Sequence, residues 1–334
     1  MNSFTSNSDE GKLKRTILIL VTVLLFFLAI ELAVRAVFIP ISKDLNRFAE
    51  YPAKAEKLCS KKASSFAFIG NSATEAGIDL LFMENLLRDG GMGDASAEMF
   101  AADASGITTW HYMVKTYFVS PGWVPRYFVI NYSDTSLVRD GHLEIGRLAQ
   151  CFTKVDDWKG VILNELSTRT EVLQFVMSLC SKTFAFSGRL RDRVLNVTIY
   201  DYKRFVRENN RVALGHERMI ASKKGLTIPF APPDYSRFER FLRMIQRSGA
   251  KLVVVAFPTQ SGNGETPYAI DPRVPSLVES YGFVFKDLRR VEGLENSMYQ
   301  DYIHLTAEGR RIYTRILAGE ILRGRSGTRP NGES

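Results

Sequence analysis

The stretch SSFAFIGNSATEAGIDL, residues 64–80, decides the fold. A short apolar run from Phe66 to Ile69 stops at Gly70-Asn71-Ser72. Small and polar residues follow, and apolar spacing resumes at Ile78, Leu80 and Leu81. The run reads as a buried strand that ends on a glycine and carries a serine at its tip, beside the amino end of a helix. In an open parallel sheet that tip is where ligands bind, beyond the carboxyl ends of the strands.

Outward from this stretch, strand and helix patterns alternate. DLLFMENLLRD reads as a helix with Leu80, Leu81, Met83, Leu86 and Leu87 on one side and Gly90 as its stop. AEMFAAD reads as a second strand, TTWHYMVKTYF as a helix ended by SPGWVP, and RYFVIN as a third strand. Further on, Phe238, Phe241, Leu242 and Ile245 recur at helical spacing before Gly249. KLVVVAF is an almost wholly apolar strand, as expected where helices cover both faces of a sheet. YGFVFKDL is a short final strand and TAEGRRIYTRILAGEIL the last helix. Repeated strand-helix-strand units predict an α/β domain over 64–323, a three-layer, doubly wound parallel sheet of flavodoxin-like type. Residues 140–234 break the rhythm with helical patches and the basic, aromatic stretch YDYKRFVRENNR; they read as an insertion near the carboxyl ends of the strands. Core packing is the expectation for those aromatic rings, with stacking on sugar as the rival. The tail, 324–334, reads as disordered.

Length and composition agree with a folded chain. It has 334 residues, 45% hydrophobic, 24% charged, with a net charge of +8. The basic residues suggest an anionic neighbour such as lipid head groups or an acidic glycan, but no zinc-finger or RNA-binding signature accompanies them, so nucleic acid is not an expected partner. Cys59, Cys151 and Cys180 lack metal-ligand spacing. Buried free thiols are the expectation, with a Cys151–Cys180 pair left open. No metal or cofactor is expected.

At the N-terminus, Lys12, Lys14 and Arg15 precede TILILVTVLLFFLAIELAVRAVFIP. The uncharged run from Thr16 to Ile30 spans roughly 22 Å as a helix, and about 36 Å when continued to Ile39, against a hydrocarbon core of about 30 Å. Glu31 and Arg35 each cost up to about 3 kcal/mol at the bilayer centre, less near its edge. They also stand i,i+4 and can pair. The apolar residues before them contribute roughly −4 to −7 kcal/mol, so insertion wins. A cleaved signal peptide is the rival reading, but no small-x-small site follows the run. The expectation is a cytoplasmic tail (1–15), a single signal-anchor helix (16–39) in a bacterial inner membrane, a polar stem (40–63) and a periplasmic domain.

Two short segments carry chemistry. Ser72 stands at the rim where backbone N–H groups meet an oxyanion; the stretch is not a G-x-S-x-G elbow, since the second glycine is missing. In YQDYIHLTAEGRRIY, His304 lies three residues after Asp301, before the last helix, with Thr306 as its N-cap. That spacing lets the Asp301 carboxylate fold back onto Nδ1 of His304 and leaves Nε2 free to take a proton from a serine. The remaining histidines get structural readings: His111 partly buried beside Trp110, His142 and His216 exposed.

FIGNSATEAGID and DYIHLTAEGRRIY together resemble the first and last blocks of the SGNH (GDSL-like) hydrolases. With the N-terminal anchor, the chain looks like the membrane-bound members linked to alginate O-acetylation and teichoic-acid D-alanylation. The resemblance covers roughly 64–135 and 235–323. It implies Ser72 as nucleophile, Asp301 and His304 as its partners, and Gly106 of DASGITTW as a backbone oxyanion donor beside the Ser72 N–H. Asn71 stands where the family name implies Asp, at a position that can also touch substrate. The third block departs from the family's G-x-N-D. Here the strand runs into NYSDTSL, with Asn131 as the nearby amide for the oxyanion and Asp134 as the other candidate for substrate contact. The implied activity is that of a serine esterase or O-acyltransferase acting on acyl esters of a cell-envelope glycan or on a small acyl ester, with a membrane-bound O-acyltransferase as an implied partner. The alternative is a non-catalytic protein that binds glycan or scaffolds a membrane acylation complex.

Overall fold

The computed structural model describes residues 6–60, 64–133, 135–138, 143–202, 204, 233–260 and 268–326. Two compact units emerge from the contacts: Met1–Phe48, Ile145–Cys151 and Leu166–Pro229 in one, and Ala49–Glu144, Phe152–Glu165 and Phe230–Ser334 in the other. The expected insertion, 140–234, thus contributes to both, and its residues 205–232 lie outside the described ones.

In the first unit, α1 (Ser6–Ala33) runs on through a π-helical turn, Val34–Phe38, into Ile39–Ile41. Pro40 lacks the N–H that an α-helix would use there, and the wider turn precedes it. Gly11–Ile41 is long and apolar enough, by length and composition, to cross a membrane. Helix α2 (Lys43–Ser60) follows and crosses the boundary between the units.

The second unit holds a five-stranded sheet in the order β2-β1-β3-β4-β5, with every pairing parallel. Strand β1 is Ser65–Gly70, followed by α3 (Ser72–Gly77) and α4 (Leu80–Asp89). Then come β2 (Ser96–Ala101), α5 (Ile107–Val114, continued by a π turn) and β3 (Tyr127–Tyr132). Helices α6 (Arg169–Cys180) and α7 (Ser187–Thr198) belong to the first unit. The second unit resumes with α8 (Ser236–Ser248), β4 (Lys251–Ala256), α9 (Arg273–Ser280), β5 (Val284–Asp287) and α10 (Ala307–Ser326).

Period-two alternation splits the sheet's side chains between two helical layers. Phe66 and Phe68 join Val129, Val253 and Val255 under Met83 and Leu87 of α4 and Tyr313, Leu317 and Ile321 of α10. On the opposite face, Phe100 and Phe128 pack edge-on against Phe118. The buried ridge Phe238, Phe241, Leu242 and Ile245 places α8 in the same unit, and Gly249 takes the left-handed conformation that closes it (φ 77°). Every residue of β1 is buried, as an interior strand covered on both faces requires. At the β2 edge, the hydroxyl of Tyr51 accepts from Ala101 N–H (3.0 Å) and donates to Ala101 C=O (2.6 Å), which occupies backbone groups an edge strand would leave free.

Some expectations need correction. Leu81 is 69% exposed, because the face of α4 that meets α10 is narrow and centres on Met83 and Leu87. Cys180 is exposed rather than buried, at the end of a helix whose inner face is Phe175 and Ser178. Tyr200, expected in a core, is 99% exposed. Helix α9 was not legible: it is short and carries Pro275 in its first turn.

Candidate active site

The order β2-β1-β3 puts the switch point of the sheet at β1, where successive connections leave in opposite directions. Gly70 ends β1 next to Ala101 of β2, and Asn131 follows the Ile69–Ile130 pair on β3. The loops after these strands therefore leave from one rim.

Ser72 is the first residue of α3, so its N–H is one of the helix's unsatisfied first-turn donors. Asn71 is the N-cap; its Oδ1 accepts from Ala73 N–H at 3.0 Å. Its side chain thus holds the serine's helix. Gly70 is required by close approach: a Cβ there would sit 1.9 Å from Thr74 Oγ1, one turn ahead. The strand ends on glycine because the chain must turn tightly enough to bring the helix start, and with it Ser72, over the strand end.

The partner loop is built from the other end of the chain. Tyr299 and Leu305 form an antiparallel bridge, Gln300 N–H donates to His304 C=O (2.7 Å), and Thr306 N–H donates to Met298 C=O (2.8 Å). Gly309 lets this loop rest on α10, since a Cβ there would lie 2.7 Å from Met298 O. Inside the loop, Oδ1 of Asp301 accepts from Ile303 N–H (2.9 Å) and His304 N–H (2.8 Å), while Oδ2 accepts from His304 Nδ1–H at 2.7 Å. His304 Nε2 stands 2.9 Å from Ser72 Oγ. With a carboxylate facing Nδ1, the proton resides there, and Nε2 accepts from the serine hydroxyl. Burial pushes the Asp301 carboxyl up, but the backbone donors of His304 and Ile303 and the facing ring outweigh it, so its pKa is lowered and it stays ionised.

Helix α10 fixes this geometry. Arg310 Nε–H donates to Ala76 C=O (2.8 Å), and Thr314 Oγ1 accepts from Asp79 N–H (3.0 Å), tying α10 to the carboxyl end of the serine's helix and to the start of α4. Sequence reasoning did not single out Arg310, Tyr313 or Thr314. Their signal was spacing alone: counted from Thr306 as i, they and Leu317 fall at i+4, i+7, i+8 and i+11, along one helix face.

Gly106 caps α5, buried at the end of a loop in which Ala104 takes the left-handed conformation (φ 51°). Such backbone in a residue other than glycine is strained and is held by its surroundings. Ser105 Oγ provides the hold: it lies 2.5 Å from Ala102 O and 3.3 Å from Gly70 O, and accepts from Trp110 Nε1–H at 2.9 Å. Asn131 is 2% exposed. Its Oδ1 accepts from Tyr313 O–H at 3.1 Å, and its Nδ2 has no partner among the described residues. Burial, and then Tyr299, raise the Tyr313 phenol well above its ordinary value, so it remains a donor. Asp134, His142 and His216 lie outside the described residues. Among the described residues no group of three or more His, Cys, Asp or Glu could hold a metal ion.

No protein-family model matches the chain, and no curated protein does. Solved structures give distant likenesses. An acetyl xylan esterase shares 12% identity, with 78% of this chain and 98% of that one covered, at a TM-score of 0.37. A candidate acylhydrolase from Bacteroides fragilis shares 10%, over 85% and 99%, at 0.38. An alpha/beta hydrolase enzyme from the metagenome of Lake Arreo, Spain, shares 9%, over 79% and 97%, at 0.37. Likeness at this level carries no weight for site or substrate.

Proposed function

We propose that this chain is a membrane-anchored serine esterase or O-acyltransferase with Ser72 as nucleophile, His304 as base and Asp301 as the residue that orients it. The observation that carries the reading is the unbroken hydrogen-bonded chain Ser72–His304–Asp301, with donor-acceptor distances of 2.9 and 2.7 Å. Ser72 attacks an acyl carbonyl while its proton passes to Nε2 of His304. The tetrahedral oxyanion forms against the N–H groups of Ser72 and Gly106, with the unpartnered Nδ2 of Asn131 as the side-chain donor. His304 then returns the proton to the leaving oxygen, and water or a glycan hydroxyl takes the acyl group from Ser72.

Hydrolase and transferase differ only in which acceptor reaches the acyl-enzyme. The resemblance of the first and last sequence blocks, taken together with the N-terminal anchor, supports an acyl ester of a cell-envelope polymer as substrate and a membrane-bound O-acyltransferase as partner. The apolar segment Gly11–Ile41 supports a membrane anchor, and the basic flank of Lys12, Lys14 and Arg15 supports an α/β unit outside the cytoplasm. A fluorophosphonate probe applied to the full chain in membranes tests the nucleophile. Labelling at Ser72, abolished in Ser72→Ala together with a loss of small-ester turnover of order 10⁴ or more, is expected. Folded protein that takes no label, or a Ser72→Ala variant that keeps its turnover, refutes the assignment.

A further inference from the structure

We infer that α6, with the turn that leads from it into Lys182–Ala185, is a membrane-inserted clasp that closes on α1 within the outer leaflet and seats a lipid acyl chain. The inference rests on the anchor reading of α1. A cavity of about 500 Å³ lies in the first unit between Leu24, Phe27 and Leu28 of α1 and Met177 and Phe184 of the clasp, with Glu31 at its polar end. At 1.5 Å per residue, Arg15 and Arg35 stand about 30 Å apart, one hydrocarbon thickness. Glu31 is then about 6 Å inside the far boundary, and Leu28 to Leu24 about 10 to 17 Å inside. Side chains that share a cavity with Leu24 and Phe27 are therefore at hydrocarbon depth.

Glu31 is the reason for a clasp. A carboxylate at that depth must have its oxygens satisfied within the protein. Oε1 accepts from Arg35 Nε–H (2.7 Å) and Lys182 N–H (3.0 Å). Oε2 accepts from Ser181 Oγ–H (2.9 Å) and Thr183 N–H (2.9 Å). Three of these four donors come from the clasp. With its oxygens so engaged, Glu31 calls for an apolar occupant rather than a polar ligand.

The exposed surface of the clasp, continuous with the cavity at Met177, matches this. Leu173, Val176, Met177 and Cys180 are all exposed and fall at i, i+3, i+4 and i+7, one stripe along α6 that leads to exposed Phe184. Phe175 and Ser178 are buried on the inner side of the same helix. Lipid, rather than another protein, is the occupant the residues favour. Helices that pack together in membranes use small residues at the contact, whereas α1 from Gly11 to Ala29 is exposed on all sides, chiefly through Leu, Val, Ile and Phe, and the stripe is Leu, Val, Met and Cys.

The test is to place the full chain in phosphatidylethanolamine–phosphatidylglycerol vesicles, irradiate it with a membrane-soluble aryl diazirine, and map the adducts by proteolysis and mass spectrometry. Residues 173–187 are expected to carry label of the same order as 16–30, with none on 236–248. Label on 16–30 but not on 173–187 overturns the clasp and leaves the anchor standing. Absence of label from 16–30 overturns the anchor and the clasp with it. Benzoylphenylalanine at exposed position 173 identifies the occupant: a phospholipid adduct supports the inference, and a polypeptide adduct, from a second copy or another protein, overturns it.

Discussion

Asp301→Asn separates the orientation of His304 from its mere presence. In the wild type, Oδ1 of Asp301 accepts two backbone N–H groups, from Ile303 and His304, and Oδ2 accepts the Nδ1–H of the ring. An asparagine has one oxygen for these three donors. If its oxygen keeps the two backbone bonds, its NH₂ faces Nδ1. The ring then accepts at Nδ1, carries its proton on Nε2, and presents a donor where Ser72 Oγ, 2.9 Å away, needs an acceptor. If the amide flips, the NH₂ is set against two N–H donors and both bonds are lost. The first arrangement is favoured, and it holds the wrong tautomer. The expected loss in kcat is on the order of 10⁴, or about 5.4 kcal/mol of barrier at 1.36 kcal/mol per decade. KM is expected to stay near wild type, because Asp301 does not touch the acyl group. The assay is p-nitrophenyl acetate turnover by the full chain in detergent, run beside the rate of fluorophosphonate labelling and a thermal melt. An Asp301→Asn variant that melts like wild type and turns over within about tenfold of it refutes the triad reasoning.

Removing the side-chain oxyanion donor with Asn131→Ala should lower kcat by about 10² to 10³ with Ser72 still labelled by the probe. Tyr313→Phe leaves Asn131 Oδ1 without its donor and should cost about ten- to a hundredfold in kcat and about 1 kcal/mol of stability, read from kinetics and thermal melts. Gly70→Ala forces a methyl into the Thr74 side chain and should destabilise the fold by about 1–3 kcal/mol, with partial recovery in Gly70→Ala/Thr74→Gly, measured by denaturant titration. His111 is pulled down to about 4 from its ordinary 6.5, by burial first and then by Arg240 and Lys115, against Asp157. The unfolded chain therefore binds the proton first, and stability is lost as pH falls from about 6.5 to 4, by up to about 3 kcal/mol. His111→Gln should flatten that part of the pH–stability curve, as followed by denaturation midpoints.

The sheet was legible because burial on both faces leaves a plain mark. Phe66 to Ile69 and Leu252 to Ala256 are apolar without alternation, and the structure places both in interior strands. The serine and histidine loops were legible because each joins a chemical residue to a local turn signal, Gly70-Asn71 in one and Asp301 with Thr306 in the other. What stayed hidden is interaction between distant segments. Arg310 and Thr314 read as ordinary polar residues of a surface helix, and only packing against the end of α3 and the start of α4 gives them their partners at Ala76 and Asp79. Leu81 follows the apolar pattern of α4 yet faces outward, because the width of a buried helix face is set by the neighbour and not by the helix. Glu31 read as a cost to insertion compensated by Arg35. Its three further donors lie about 150 residues away in sequence, beyond any local pattern.

The meeting of the first and last motifs follows from the direction of the elements. In a parallel sheet wound by antiparallel helices, every helix begins at the rim where the strands end. Helix α10 lies on the same face as α4, sharing the core of Phe66, Phe68 and Met83 through Tyr313 and Leu317. Its amino end is therefore directed to the carboxyl end of β1, and a loop just before it has to reach the residues just after Gly70. Arg310 and Thr314 set the lateral position of that approach, and the Asp301 turn sets the last few ångströms. The 232 positions from Ser72 to His304 separate the motifs in sequence only. Once β1 and the final helix are in place, the serine hydroxyl and the imidazole share one rim.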